Sequence, residues 1–215
     1  MSAVLPLLTS ESEVLASCAN KRLIVYAGTL ESYQGIDVLI AAFKYVVDAQ
    51  PDTVLLIVGG TQEQVQYYSG MARECGIGPN CIFTGRVPQA AAKRYASGAQ
   101  IQISSRVSGT NTPLKVYEQL SRPIPLVATN IYSHTQVLNE EVAFLVEPTP
   151  EDMARGILEA LKPDGDGPRR TANAQELYEQ KYSRKVYTEK MRKLFDYVTR
   201  SCDDETCTVL AAASK

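Results

Sequence analysis

The run Ser104-Ser105-Arg106-Val107-Ser108-Gly109-Thr110-Asn111-Thr112-Pro113 sets hydroxyls, an amide side chain, an arginine and a glycine turn just before a segment of helical period. The first N–H groups of a helix have no intrahelical partner and carry the positive end of its dipole, so a loop of this kind is built to take an anion. Lys115 and Glu118 follow, three residues apart and therefore on nearly the same helix face. A lysine in a first turn opposes the dipole and costs a few tenths of a kcal/mol unless an anion accompanies it, which points to a phosphate near Lys115. A carboxylate at Glu118 on a buried helix also needs a partner, and a ribose diol would satisfy both of its oxygens. The alternative is a surface ion pair between Lys115 and Glu118 themselves.

Three other segments hold residues of interest. Gly28-Thr29-Leu30-Glu31-Ser32-Tyr33-Gln34-Gly35 has two glycines that let the backbone approach a ligand ahead of a helix, although they also suit a simple turn. It is not the GxGxxG of dinucleotide sites. Gly85-Arg86-Val87-Pro88 offers Arg86 to a base or a phosphate, or merely to solvent, and Gly59-Gly60 ends a further apolar run. The one histidine, His134, sits in Tyr132-Ser133-His134-Thr135-Gln136, where a structural or sugar-lining role is expected.

Something must hold these loops side by side, and the pattern of apolar runs says what. Six candidate strands, 23–27, 54–58, 81–84, 101–104, 125–129 and 142–146, alternate with segments of helical period, the signature of a Rossmann-like α/β fold with a mainly parallel sheet and helices on both faces. Several of the runs are almost wholly apolar, as strands covered on both faces should be. Ile36, Leu39, Ile40, Phe43, Val46 and Val47 make an apolar stripe that ends before Pro51, and a second helix over about 63–75 should stop at Gly76. A third covers about 89–97. The fourth should take Thr112 as N-cap and Pro113 as its first residue, run to about Ser121, and be buried. After the loop 164–168, helices are expected at about 169–181 and 183–200. The last of these has a stripe of Tyr187, Met191, Leu194, Phe195 and Val198.

In an open parallel sheet, ligands lie beyond the carboxyl ends of the strands, where the four loops above fall. The 215 residues allow one domain with a substantial core. We assign 1–21 to a linker remnant, 22–200 to the domain and 201–215 to a disordered tail. Five cysteines, an odd number with no CxxC and one histidine in the chain, argue against a disulfide framework or a metal site. A net charge of −2 with scattered basic residues gives no footprint for nucleic acid. No apolar run approaches the ~20 residues of a spanning helix, and Met1–Leu8 lacks the basic start of a signal peptide, so the chain reads as cytoplasmic.

Taken together these segments resemble the C-terminal, donor-binding half of GT-B glycosyltransferases of the retaining family-four kind, also called group 1. The similar stretches are Gly28-Thr29-Leu30 with Gln34-Gly35, Val54–Gly60, Ile82–Pro88, Thr112–Leu120 and Pro125–Asn130, and the likeness covers about 22–200. It implies a nucleoside diphosphate sugar as the donor, transfer with retained configuration, and neither metal nor cofactor. The base would lie near Gly85-Arg86-Val87, and the diphosphate between Gly28-Thr29 and the stretch Gly109 to Lys115, which includes Thr110 and Asn111. Arg106 and Ser108 would stand close by. Of the family's two glutamates eight positions apart, Glu118 fits the second, while Thr110 stands at the first. Thr29 and Gln34 stand where the family carries an arginine and a lysine that neutralise the leaving diphosphate, which leaves Lys115 and Arg106 as the nearby cations.

The resemblance further implies that an N-terminal, acceptor-binding half is missing. Alone, the chain should bind donor and turn over poorly, and any membrane contact would pass through the absent half. The family's C-terminal helix crosses back to that half, so Tyr187, Met191 and Leu194, with Val4-Leu5, should form an uncovered patch prone to self-association. A non-catalytic nucleotide-binding module and a sugar-nucleotide epimerase share the fold and stay open as alternatives.

Overall fold

The computed structural model describes Val14, residues 16–18 and 20–212, with side chains up to Thr199. One compact unit reaches to Gln175 and a second begins at Glu176. The first contains β1 (Arg22–Ala27), β2 (Thr53–Val58), β3 (Cys81–Gly85), β4 (Ile101–Ser104), β5 (Leu126–Thr129) and β6 (Phe144–Val146). Every expected strand is present, within two residues at each end. They form one sheet in the order β3-β2-β1-β4-β5-β6, with each neighbouring pair parallel.

Both faces of this sheet are covered, which is why its strands are mostly apolar. Ile24 and Tyr26 of β1 face a layer with α1 (Ile36–Ala49), α2 (Gln62–Glu74) and α6 (Pro150–Ala160). Leu23 and Val25 alternate to the other side and pack with α3 (Gln89–Ser97). The stripe on α1 is buried as its spacing requires. α2 opens on a capping box between Thr61 and Gln64 and gives out just before Gly76, whose φ of 77° is the left-handed stop expected of that glycine.

Two boundaries differ from the sequence reading. Val14 and Cys18 are buried in the layer with α3, so the segment read as a linker belongs in part to the domain core. At the other end, α7 (Gly167–Lys181) is followed by α8 (Arg184–Ala212), which continues past Arg200, where the apolar period was expected to end. No glycine or proline lies between 184 and 212, so nothing in the chain stops the helix. On α8, Tyr187, Leu194, Phe195 and Val198 are exposed and Met191 is half-buried. Val4-Leu5 lies outside the described residues. Among those residues no helix is long and apolar enough to cross a membrane.

The order of the strands places the site. From β1 the chain turns toward β2, and from β4 it turns toward β5, so the loops at the carboxyl ends of these adjacent strands diverge and leave a crevice between them.

Candidate functional site

The short helix α4 (Leu114–Leu120) follows β4 and carries Lys115 into the crevice. It begins one residue later than the Thr-Pro pattern suggests. Pro113 is the N-cap, held extended at ψ 131°, and no side chain caps the helix, so Thr112 does not play that part. The helix is also less buried than expected: Val116, Gln119 and Leu120 are covered, whereas Leu114 is 85% exposed. Seven residues make only two turns, too few to bury more than the side that faces the sheet.

Lys115 still falls in the first turn, and its side chain crosses to β1. Nζ sits 4.2 Å from the ring centroid of Tyr26, and a methyl group on Gly28 would lie 3.5 Å from it. The nitrogen is buried with no hydrogen-bond partner among the described residues. Burial, and secondarily the nearby Arg106 guanidinium, lowers the Lys115 pKa to about 7. Beneath it, the buried Tyr26 hydroxyl donates to the Thr29 carbonyl at 2.7 Å and so pins the first loop, while burial raises its own pKa. A ring face and a single ammonium attract each other, yet three N–H donors remain unused.

The loops after β1 and β4 are stitched together. Ser105 Oγ donates to the Gln34 carbonyl at 2.8 Å, and the Val107 N–H donates to the Tyr33 carbonyl at 2.9 Å. A Cβ on Gly35, whose φ is 65°, would come within 2.3 Å of the Ser105 carbonyl. That glycine therefore serves turn and packing rather than a ligand. Gly28 is different, since its missing Cβ leaves the room that Lys115 and the Tyr26 hydroxyl share. Thr29 and Gln34 meet each other, with Gln34 Nε2 donating to Thr29 Oγ1 at 3.4 Å.

Arg106 does not stand free in the crevice as a second cation. Its Nε donates to the Ser108 carbonyl at 2.7 Å, its Nη1 donates to the Asn111 carbonyl at 3.1 Å, and its guanidinium lies 5.0 Å from the Tyr33 ring. The arginine thus folds back along its own loop and holds the exposed Ser108, Gly109, Thr110 and Asn111 in a tight curve. Gly109 permits this, because a Cβ there would run into the guanidinium at 2.4 Å.

Glu118 also departs from expectation. It is exposed, and its carboxylate pairs with Arg122 at 2.9 Å and with Lys93 at 3.6 Å, so neither a buried unpaired carboxylate nor a pair with Lys115 is found. The short helix turns its Glu118 side outward, toward α3. Between α3 and α4 lies a hollow of about 110 Å³ that Lys115, Glu118, Lys93 and Arg122 line. Beside it, Gly28, Thr29, Gly59, Gly60, Arg86 and Val87 border an open cleft of about 310 Å³. Ala27 and Ala92 belong to both. Arg86 is exposed at the edge of this cleft.

His134 lies in α5 (Tyr132–Thr135), not in a loop, and is fully buried, which removes the sugar-lining role and leaves the structural one. Its Nδ1 meets the Thr129 carbonyl at 2.9 Å and its Nε2 meets Ser104 Oγ at 2.9 Å. Burial lowers its pKa to about 4, so it is neutral at pH 7.

Of the residues that the sequence singled out, Gly28, Thr29 and Arg86 line the cleft and Lys115 and Glu118 line the hollow beside it, while those of the Arg106–Asn111 loop line neither. Sequence reasoning missed Tyr26 and Gln136. The one signal for Tyr26 was a hydroxyl in an otherwise apolar strand, Leu23-Ile24-Val25-Tyr26-Ala27. Gln136, whose Nε2 donates to the Thr110 carbonyl at 2.7 Å, gave none.

The profile of the family described as glycosyl transferases group 1 matches residues 9–179. YtcC of Bacillus subtilis (strain 168), whose name carries the word glycosyltransferase, is 28% identical over 134 residues, spanning 59% of this chain and 32% of its own. Among solved structures, Anabaena Alr3699/HepE in complex with UDP is similar over 87% of this chain and 52% of its own, with a TM-score of 0.75 and 15% identity. The C-terminal domain of the group 1 family protein LpcC from Francisella tularensis matches 81% of this chain and 92% of its own, with a TM-score of 0.68 and 14% identity. At such identities the structures bear on the fold, which they share. The chain spans about a third of YtcC and about half of HepE.

Proposed function

The chain belongs to the group 1 glycosyl transferases, and on that premise we propose that it is the donor-binding half of a retaining enzyme that moves a sugar from a nucleoside diphosphate to an acceptor. The observation that carries this reading is the Lys115 ammonium, buried against Gly28 with no hydrogen-bond partner among the described residues. A buried donor left unmade costs about 1–3 kcal/mol, more when charged, and an anion arriving at the crevice would recover it. In this reading the diphosphate lies across Gly28 and Lys115, the base lies toward Arg86 and Val87, and the ribose lies toward Glu118. HepE, which shares the fold, was crystallised with UDP, which makes UDP the first ligand to try.

As the bond between the anomeric carbon and the diphosphate oxygen breaks, the electron pair stays with that oxygen and negative charge builds on the leaving group. A fixed, buried ammonium stabilises that charge at little cost of reorganisation, and in this reading Lys115 supplies it without calling on a metal ion. The acceptor would sit on a partner half, in line with the share of HepE that this chain spans. The decisive experiment is calorimetry of the chain with UDP and UDP-sugars, repeated with Lys115→Ala. Equal affinity in both would end the assignment.

A second reading has one observation in its favour. Thr29 and Gln34 form a neutral pair at 3.4 Å on the diphosphate side of the crevice, which suits a nucleotide-binding module that performs no transfer. If the chain binds UDP-sugar but stays silent after reconstitution with an acceptor half from a related enzyme, the module reading is favoured.

A further inference from the structure

We propose that Thr129, set by the buried His134 and seconded by Gln136, is the positioning residue that holds the Arg106–Asn111 loop in the shape in which it meets the donor. The proposal rests on the donor reading above and adds to it a part of the molecule that touches no ligand.

The hydrogen bonds run in one direction. The Thr129 carbonyl can only accept, so the proton of the neutral imidazole sits on Nδ1, which donates to that carbonyl at 2.9 Å and stands 3.0 Å from Thr129 Oγ1. Nε2 is then the acceptor and takes the Ser104 hydroxyl at 2.9 Å. With a donor at its lone pair, Thr129 Oγ1 is left to donate its own proton, and it gives it to the Arg106 carbonyl. Ser104 thus donates to the ring, the one ring N–H is shared between the Thr129 carbonyl and the Thr129 hydroxyl, and that hydroxyl donates to the Arg106 carbonyl. The reverse tautomer would set Nδ1 as an acceptor against a carbonyl oxygen.

This chain of bonds fixes one end of the loop, and Gln136 fixes the other through the Thr110 carbonyl at 2.7 Å. Arg106 itself ties the carbonyls of Ser108, between the two anchors, and of Asn111, just past the second. All of the outer anchors come from β5, α5 and the residue that follows it, and none of them lines the cleft or the hollow. Ser104, Thr129 and His134 are each fully buried, so this arm of the brace is shielded from solvent, unlike the exposed bond from Gln136, and hydrogen bonds shielded in this way reinforce each other. The loop N–H groups of Gly109 to Asn111 are thereby aimed before any ligand arrives, which removes an ordering cost from binding.

Two variants test this in the intact chain, Thr129→Val, which keeps shape and loses the hydroxyl, and the surface change Gln136→Ala. Backbone 15N relaxation without ligand should show order parameters for residues 107–111 falling from about 0.85 to below about 0.6 in the double variant. Its UDP dissociation constant should rise about tenfold, and Thr129→Ser with Gln136 intact should restore both. Order and affinity unchanged in the double variant, at an unchanged thermal midpoint, would overturn the brace. If the unaltered chain binds no UDP, the donor reading is what fails, and the relaxation data still decide whether the brace exists.

Discussion

Lys115 and Tyr26 meet across the switch point of the sheet, the ammonium 4.2 Å above the ring centroid, so that the first turn of α4 and the end of β1 are joined by one side chain. The buried charge has a ring for company and no hydrogen-bond acceptor among the described residues. The ligand-free chain therefore holds a group that weakens it and that a bound anion would satisfy.

Replacing Lys115 with methionine should separate these two effects. The apolar side chain fills the same space without a stranded charge, so the ligand-free chain should gain about 1–3 kcal/mol in urea denaturation, and UDP affinity should fall by about 1.5–3 kcal/mol. A variant that loses stability would show that the ammonium has a partner already.

The pH dependence follows from the lowered pKa of about 7 for Lys115, whose main cause is burial. Unfolded, a lysine titrates near 10.5, so between about pH 7 and 10.5 the unfolded chain binds more protons and stability should rise with pH. Falling pH forces charge on the buried group, and the gain is gone below about 7. An anion reverses the shift, so UDP binding at pH 8 should take up a proton, seen as a binding heat that varies with the ionisation heat of the buffer. Lys115→Met should abolish both trends.

Gly28→Ala places a methyl group 2.9 Å from the Tyr26 hydroxyl and 3.5 Å from Lys115 Nζ. Crowding of this kind costs about 1–3 kcal/mol in stability, and here it should also weaken UDP binding because Lys115 must move. Thermal and calorimetric scans of the same variant check the two together.

Tyr26→Phe keeps the ring under Lys115 and removes the bond to the Thr29 carbonyl. We expect a loss of about 1 kcal/mol in urea denaturation, with a smaller effect on UDP affinity than Lys115→Ala has. If Tyr26→Phe matched Lys115→Ala in affinity, the hydroxyl rather than the ammonium would be the ligand's partner.

The alternation of apolar runs with helical stripes, the stops at Pro51 and Gly76, and the polar loops at strand ends were all legible in the amino-acid order, because local periodicity and backbone restriction act over a few residues. From them came the parallel sheet and the set of loops at its carboxyl edge. The state of each side chain in those loops was a different matter. That Arg106 lies beside Tyr33, that Glu118 turns to Lys93, that Lys115 is left with an aromatic face, and that His134 reaches Arg106 through Thr129 all depend on residues far apart in the chain. Hydrogen bonding and desolvation are set by neighbours within a few ångströms in space, and the sequence orders neighbours only along the chain.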